Sequence, residues 1–115
     1  MKSGIQFNQG DILIVPFPFS NLSGIRQRPV LVLSKTNYLR ECEDVVTCGI
    51  TSNLKDSKYS LLINNSNLIE GSIPIKSRIK VDKLFTLEQS IVIKKIGRIK
   101  KETMNKVKEE FLKLI

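Results

Sequence analysis

The segment from residue 10 to residue 34 constrains the fold most, because it places a loop rich in Gly, Ser, Asn and Arg between two apolar runs that favour β-strands. The loop ends at Arg28 and Pro29. A proline holds the preceding residue in extended backbone and cannot donate a hydrogen bond to a neighbouring strand. We therefore expect Arg28 to lie at the beginning of a strand, with its side chain held off the sheet where it can act on a ligand.

The length and composition predict one small globular domain that spans residues 1–115. A chain of 115 residues with 41% apolar content can bury a single modest core. The most apolar stretch, residues 12–19, is interrupted by Pro16 and Pro18 and is far shorter than the roughly 20 residues of a membrane span. The first residues lack the apolar run of a signal peptide. We expect a cytoplasmic protein that does not enter a membrane.

The residue types exclude the common metal sites. The sequence has two cysteines, Cys42 and Cys48, and no histidine, so a zinc site of the ordinary kind cannot form. The carboxylates are not clustered in a way that would hold a divalent ion. We expect no cofactor, and reduced thiols rather than a disulfide in a reducing compartment.

The charge balance is strongly basic and points to an acidic partner. Nineteen Lys and Arg residues against eleven Asp and Glu residues give a formal charge of +8, which is the pattern expected for a nucleic-acid-binding protein. Eight of these basic residues lie in residues 94–115, where a solvated lysine-rich helix would account for them without a ligand. Charge alone leaves both interpretations open.

Apolar periodicity predicts a mainly β chain that ends in a helix. From Lys101 onward, apolar side chains recur at helical spacing. The preceding residue, Lys100, is a poor N-cap, so this helix should depend on packing more than on capping. Several short strands with one terminal helix favour a curled antiparallel sheet, a small β-barrel whose open side the helix covers. The predicted strands are residues 12–15, 30–33, 45–51, 59–63, 77–83 and 91–99, and the apolar helix positions are Met104, Val107, Phe111 and Leu114.

The loop of residues 17–27 is the first candidate binding element. Gly24 gives it backbone freedom, and its phenylalanines and polar side chains suit single-stranded nucleic acid, with phosphates on the arginines and bases stacked on a ring. The alternative is that the phenylalanines belong to the core and the loop is simply solvated. The candidate residues are Phe17, Phe19, Ser20, Asn21, Ser23, Arg26 and Arg28.

Three small polar side chains, Thr51, Ser52 and Asn53, directly follow an apolar strand. A hydroxyl at this position can hold a phosphoryl oxygen. Hydrogen bonds that strengthen as charge develops on such an oxygen make large contributions to catalysis. The alternative is a turn in which Thr51 or Ser52 bonds to nearby backbone and ends the strand.

The charged strand of residues 77–83 is the third candidate. Side chains alternate along a strand, so Arg78, Lys80 and Asp82 should share one face while the residues between them face the core. Lys80 would keep Asp82 ionised, and an ionised carboxylate beside a 2′-hydroxyl can act as a general base. The alternative is a ladder of surface charges.

Two segments resemble the PemK/MazF family of toxin endoribonucleases. The N-terminal segment reads GDILIVPFPFS, then a loop, then RPVLVLS. The C-terminal segment IVIKKIGRIKKETMNKVKEEFLKLI is similar to the strand and helix that end proteins of this family. The resemblance covers most of the chain, and it implies the SH3-like barrel that the family shares with CcdB.

The resemblance also implies catalytic roles for Arg28, Thr51 and Asp82. Arg28 falls on the best-marked position of the family, and Thr51 falls on the threonine that the family pairs with it. Some relatives use an arginine and an aspartate at the positions of Lys80 and Asp82. This chain has the aspartate, but its lysine lacks the bidentate fork of arginine. The residues expected to bind RNA are Phe17, Phe19, Ser20, Asn21, Arg26, Ser52, Asn53, Arg78, Lys80 and Lys83.

The activity that this resemblance implies is that of a metal-independent endoribonuclease toxin, an mRNA interferase that cuts single-stranded RNA at selected sequences. Attack by the 2′-hydroxyl on the adjacent phosphodiester would leave a 2′,3′-cyclic phosphate and a 5′-hydroxyl. Because the chain has no histidine, proton transfer would fall to Asp82, Arg28 or water. The implied partners are a second copy of the chain in a homodimer and an acidic antitoxin that silences the toxin, with operator DNA bound through the antitoxin complex.

Three other functions remain open on the sequence. A non-catalytic β-barrel would bind nucleic acid by charge and stacking without cutting it. A gyrase poison like CcdB, which shares the implied fold, acts through a C-terminus that contains tryptophan, whereas this chain has no tryptophan and ends in Lys113, Leu114 and Ile115. A housekeeping structural domain is favoured only by the weak specificity of the patterns at Thr51 and Asp82.

Overall fold

Runs of apolar and β-branched residues form the strands, and segments rich in Gly, Pro, Ser and Asn separate them. The computed structural model describes residues 6–18 and 25–115. The strands in these parts of the chain are β1 (Asp11–Pro18), β2 (Ile25–Val32), β3 (Asp44–Thr51), β4 (Ser60–Ile63), β5 (Leu68–Gly71), β6 (Ser77–Glu88) and β7 (Lys94–Ile99). The α-helices are α1 (Thr36–Glu41) and α2 (Lys101–Leu114), and short 3₁₀ helices form at Asn65–Asn67 and Gln89–Ile91.

The described strands form a curled antiparallel sheet in the order β4-β6-β3-β2-β1-β7-β5. The two edge strands, β4 and β5, are consecutive in the chain, and the 3₁₀ helix Asn65–Asn67 joins them. Asn64 caps this connection, because its side chain accepts a hydrogen bond from the backbone N–H of Ser66 at 2.8 Å. The predicted fold, a curled antiparallel sheet with a C-terminal helix, is confirmed.

Residues 12–13 of β1 and 30–32 of β2 are buried on both faces of the sheet, which explains why these stretches are uninterrupted apolar sequence. Ile12 and Leu31 pack into one core cluster with Val107 of α2. Leu13, the neighbour of Ile12, packs into a second cluster with Leu39 of α1. Burying one such aliphatic side chain completely contributes about 1.5–3 kcal/mol. The two clusters therefore hold the central strands between the two helices.

Helix α2 begins where the sequence predicts it and is stabilised by packing. Lys100 occupies the N-cap position, and its side chain makes no capping hydrogen bond. Met104 and Val107 are buried against the sheet. Glu102 in the first turn and Lys113 in the last turn complement the helix dipole. Neither α2 nor any other helix in the described part of the chain is long and apolar enough to cross a membrane.

The long strand β6 and the turn after it differ from the sequence prediction. β6 continues to Glu88, beyond the predicted end at residue 83, and β7 begins at Lys94 rather than at residue 91. The side chain of Gln89 lies between them, and its Nε2 donates to the carbonyl oxygens of three distant residues. They are Leu39, Cys42 and Asp44, at 3.0, 2.9 and 3.2 Å. These bonds tie the turn to the end of α1, and no local sequence pattern specifies them.

Two elements, α1 and β5, are absent from the sequence prediction. Helix α1 has six residues and buries only Leu39, so it is too short to show helical periodicity. β5 approaches β7 closely: Gly71 pairs with Gly97 and has a φ of +74°. A Cβ on Gly71 would collide with the carbonyl group of Ile96. Because β5 depends on this close contact with β7, its sequence shows no alternating pattern from which the strand could be predicted.

A buried carboxylate ties β1 to the last strand. Asp11 is completely buried, and its Oδ1 accepts a hydrogen bond from Arg98 Nε at 2.8 Å. Lys95 Nζ lies 3.3 Å from the same oxygen, and Asp11 Oδ2 accepts from the backbone N–H of Asn8 at 2.7 Å. Glu70 on β5 pairs with both cations, at 2.8 Å from Lys95 and 3.4 Å from Arg98. This network compensates for the burial of the Asp11 charge.

Candidate active site

Arg28 and Thr51 are neighbours on adjacent strands. β2 and β3 pair with Val30 opposite Gly49. Antiparallel strands run in opposite directions, so the residue two positions before Val30, which is Arg28, corresponds to the residue two positions after Gly49, which is Thr51. Continuing this register past the last pair brings Arg28 next to Thr51, and both residues are partly exposed. Arg28 is the fourth residue of β2, so the strand begins earlier than the sequence predicts.

Both residues line a cleft of about 610 Å³. Strands β1, β2, β3 and β6 contribute to it, and residues 52–59, here called the wall segment, form one of its sides without being helix or strand. The cleft brings together six of the residues predicted from the sequence, namely Phe17, Arg28, Thr51, Asn53, Lys80 and Lys83. The other lining residues are Pro29, Val30, Gly49, Ile50, Lys55, Asp56, Ser57 and Phe85.

The charges around this cleft are mostly positive. Its lining contains four cations, Arg28, Lys55, Lys80 and Lys83, and one carboxylate, Asp56. A concave surface with one predominant sign of charge attracts a ligand of the opposite sign, such as a chain of phosphates. Among the described residues, no group of three or more His, Cys, Asp or Glu side chains is placed to hold a metal ion.

Two phenylalanine rings form the aromatic part of the cleft. The ring centroids of Phe17 on β1 and Phe85 on β6 are 4.6 Å apart, with the planes at 87°, an edge-to-face contact. Gly49 leaves room beside them, since a Cβ there would stand 3.6 Å from the Phe85 ring. An aromatic face of this kind can stack a nucleobase. Sequence analysis missed Phe85 because it lies beyond the predicted end of its strand.

The Thr51 hydroxyl bonds to backbone and keeps its proton for a ligand. Its Oγ1 accepts a hydrogen bond from the backbone N–H of Asn53 at 3.1 Å, which is the turn expected as the alternative to a functional role. A threonine hydroxyl carries one proton and two lone pairs. The turn uses only one lone pair of the Thr51 hydroxyl, so the hydroxyl proton can still be donated to a ligand. Thr51 can therefore form the turn and contact a ligand at the same time.

A register shift in β6 changes the placement of its charged residues. One residue of β3 pairs with Lys80, and the adjacent residue of β3 pairs with Leu84. Residues 81–83 are therefore extra on β6, as in an enlarged β-bulge. The regular alternation of side chains stops at this point. As a result, Lys80 and Lys83 both line the cleft although they are three positions apart.

Of Arg78, Lys80 and Asp82, which the sequence predicts to share one face, only Lys80 lines the cleft. The Arg78 side chain is 7% exposed. Asp82 Oδ1 is buried and has no hydrogen-bond partner among the described residues. Burial, and after it the charge of Asp82, raises the pKa of the Cys48 thiol to about 12. The negative charge of Asp82 therefore disfavours the thiolate form of Cys48.

Arg28 and Thr51 also line a second cleft, of about 300 Å³. The wall between the two clefts consists of the residues common to both, Arg28, Pro29, Ile50 and Thr51. Two further predicted residues line only the second cleft, Arg26 and Ser52. The rest of its lining is Ile14, Gln27, Ile73, Pro74, Ile75, Ser77 and Ile96. Four predicted residues lie outside the described parts of the chain: Phe19, Ser20, Asn21 and Ser23.

Solved structures share this fold over most of their length. An endoribonuclease in complex with its cognate antitoxin from mycobacterial species is 19% identical, with 92% of this chain and 91% of that chain covered and a TM-score of 0.70. An endoribonuclease from mycobacterial species is 18% identical, covering 95% and 90%, with a TM-score of 0.74. MazE-MazF from Deinococcus radiodurans (Form-III) is 18% identical, covering 96% of both chains, with a TM-score of 0.73. No curated protein matches the sequence significantly.

The family to which the chain belongs follows from its sequence as a whole. The model of the PemK-like, MazF-like toxin of type II toxin–antitoxin system matches residues 8–115. That range includes every described strand and both α-helices, and it includes Arg28 and Thr51. The resemblance of the N-terminal and C-terminal segments to this family is confirmed. This chain is a member of the PemK-like, MazF-like toxins of type II toxin–antitoxin systems.

Proposed function

We propose that this protein is a toxin endoribonuclease that cuts single-stranded mRNA at selected sequences without a metal ion. The observation that carries the proposal is the position of Arg28 beside Thr51 on the wall of a cationic cleft that also contains two aromatic rings. A phosphodiester at this wall would meet a guanidinium and a hydroxyl together. Membership of the toxin family and the similarity to structures named as endoribonucleases support the same activity.

In the proposed reaction, the 2′-hydroxyl oxygen attacks the adjacent phosphorus and the bond from phosphorus to the 5′-oxygen breaks. The products are a 2′,3′-cyclic phosphate and a 5′-hydroxyl. The 2′-hydroxyl loses one proton in this step, and the leaving 5′-oxygen gains one. Negative charge grows on the non-bridging oxygens, where the Arg28 fork and the Thr51 hydroxyl would stabilise it. Loss of one such donor typically lowers kcat by roughly 10²–10³-fold.

The position of Asp82 favours water over this carboxylate as the proton acceptor. Asp82 does not line the cleft, and one of its oxygens is buried. A general base must come within hydrogen-bond reach of the proton that it removes, directly or through one water. We therefore assign the rate acceleration mainly to charge stabilisation by Arg28 and Thr51.

An acidic antitoxin and a homodimer belong to the same proposal. The positive cleft is complementary to an acidic protein segment as well as to RNA. Two of the similar structures are named as complexes of a toxin with its antitoxin. An antitoxin segment in the cleft would exclude RNA, and operator DNA would be bound by the toxin–antitoxin complex. The homodimer rests on the family resemblance.

A nucleic-acid-binding module without catalysis is the second candidate. Lys80 supplies a point charge where an arginine would supply a bidentate fork. Asp82 is absent from the cleft lining. Both features would weaken catalysis more than binding.

Cleavage of a defined single-stranded RNA separates the two candidates. The wild-type protein should cut it in excess chelator and leave 2′,3′-cyclic phosphate ends. An otherwise identical RNA with a 2′-deoxy substitution at the scissile nucleotide should bind equally well and remain uncut. Binding of both RNAs without cleavage of either would establish the binding module, and loss of cutting in chelator would contradict the metal-free mechanism.

A further inference from the structure

Arg78 on β6 is a buried arginine that contacts the wall segment (residues 52–59). Its Nη2 donates to the carbonyl oxygen of Leu54 at 3.4 Å, and its Nη1 lies 3.4 Å from Asp56 Oδ1. Nη1 also donates to Ser60 Oγ at 2.9 Å, at the first residue of β4. One guanidinium therefore contacts two positions within the wall segment and the residue that directly follows it.

Polar contacts rather than apolar burial hold the wall segment in place. Its one leucine, Leu54, is 41% exposed. A second cation of β6, Lys80, donates from Nζ to Ser57 Oγ at 2.6 Å, and the backbone N–H of Val81 donates to the carbonyl oxygen of Tyr59 at 2.8 Å. A segment with few buried apolar contacts has low local stability, so its position depends on these bonds.

We propose that Arg78 is a positioning residue that sets the RNA selectivity of the cleft through the wall segment, an inference that rests on the proposed endoribonuclease function. The segment brings Asn53, Lys55 and Ser57 to the same cleft that Arg28 and Thr51 line. Amide, ammonium and hydroxyl groups of this kind recognise base edges and phosphates of a single strand. Holding them in place lowers the entropy cost of binding.

The environment of Arg78 argues against a role in stability alone. Removing a guanidinium from water costs free energy that an exposed partner does not return. The side chain of its carboxylate partner, Asp56, is 93% exposed. An apolar residue at position 78 would avoid this cost. What the arginine adds is a fixed geometry, because its planar fork reaches a carbonyl, a hydroxyl and a carboxylate at once.

Arg78→Met tests the proposal, with Arg40→Met as the matched control. Arg40 also donates to backbone and side chain, to Phe7 O at 2.7 Å and Asn8 Oδ1 at 2.9 Å. Its two partners line neither cleft, whereas Asp56, a partner of Arg78, lines the larger one. For Arg78→Met we expect the KM for RNA to rise about 10-fold with kcat within about 2-fold of wild type, because contacts made equally before and in the transition state affect KM. Cuts should also appear at additional sequences, whereas Arg40→Met should change neither property.

Limited digestion with trypsin provides a readout that does not depend on RNA cleavage. Arg78→Met should be nicked at least about 5-fold faster than wild type after Lys55 and Lys58, in the released wall segment. Cutting after Lys106 and Lys108 in α2 should not change, which separates local release from global unfolding. Arg78→Lys should behave like Arg78→Met, since an ammonium donates from a single nitrogen and cannot span the acceptors that the guanidinium reaches from two separate nitrogens.

Three results would overturn the proposal: wild-type KM and cut sites in Arg78→Met, unchanged nicking of the wall segment, or full rescue by Arg78→Lys. If the wild-type protein cuts no RNA, the proposed function fails and the selectivity role fails with it. In that case trypsin digestion still shows whether Arg78 holds the wall segment in place. Failure of the proposed function can therefore be distinguished from failure of the positioning role of Arg78.

Discussion

Arg28 on β2 stands beside Thr51 on β3, and both side chains belong to the wall that separates two clefts. A single RNA strand that crosses this wall would present one phosphate to the guanidinium and the hydroxyl, with a base on either side. The larger cleft offers two aromatic rings and four cations, whereas the smaller one offers two arginines, Arg26 and Arg28, and no aromatic ring. This asymmetry suits recognition of two different nucleotides around one phosphate.

Arg28→Lys and Thr51→Ala should each lose most of the cleavage while still binding RNA. Lysine keeps the charge of Arg28 but not its planar fork, and alanine removes the Thr51 proton donor. We expect kcat to fall roughly 10²–10³-fold, with the Kd for an uncleavable 2′-deoxy RNA nearly unchanged. Single-turnover cleavage and fluorescence anisotropy measure the two quantities. A wild-type rate in Arg28→Lys, or loss of binding in both variants, would reduce these residues to RNA-positioning roles.

Removing the charge of Lys83 should weaken RNA binding and its salt dependence. Lys83 lines the cleft together with Lys80 and Phe85, so Lys83→Gln should lose about one phosphate contact. The log-log slope of affinity against salt would then decrease by about 0.7. Lys108→Gln removes the same charge from an exposed position on α2, outside both clefts, and should leave the slope unchanged. Equal effects of the two substitutions would mean that RNA responds to net charge and not to the cleft.

Asp82→Asn should have little effect on cleavage. The carboxylate is absent from the cleft lining, and its buried Oδ1 has no hydrogen-bond partner among the described residues. Loss of a general base lowers a rate by roughly 10²–10⁴-fold, and we expect a change far smaller than this in kcat. The pH dependence of kcat should also match that of the wild type. A large decrease, together with loss of the acidic limb of the pH profile, would identify Asp82 as the base after all.

Glu70→Gln should lower the melting temperature at neutral pH and not at low pH. The hydrogen bond from Lys95, and after it the charge of Arg98, lowers the pKa of Glu70 below its ordinary value of 4.5. A carboxyl whose pKa is lowered by folding stabilises the protein above its unfolded-state pKa, and this contribution is lost as the pH falls through the lowered folded-state pKa. The difference between variant and wild type should therefore disappear in acid.

The size of this pH effect should be modest, because the Glu70 side chain is 49% exposed and solvent screens its ion pairs. Glu41→Gln, at an exposed position in α1, is the charge-matched control and should show no such difference. Thermal unfolding followed by circular dichroism over a series of pH values measures both variants. A melting-temperature difference for Glu70→Gln that persists at the lowest pH would contradict the assignment.

The prediction of the fold from sequence succeeded where structure depends on local pattern. The apolar runs of β1, β2 and β3 and the helical spacing of Met104 and Val107 are properties of short segments, so they indicate a curled sheet and a terminal helix without any tertiary information. The short elements α1 and β5 could not be predicted in this way. They exist because Gln89 contacts the end of α1 and because Gly71 lets β5 approach β7.

The sequence by itself determined the candidate pair at the wall, and only the tertiary structure decided what surrounds it. Arg28 stands out because Pro29 restricts its backbone. Thr51 stands out because it ends an apolar strand and falls on the threonine that the resembling family pairs with this arginine. Whether a residue of β6 faces the cleft depends on its register with β3, which shifts by three residues between Lys80 and Leu84. A strand pattern of period two contains no information about such a shift, because pairing between distant segments sets it. For the same physical reason, the roles of Phe85, of the wall segment and of the buried Arg78 behind it are visible only in the folded chain.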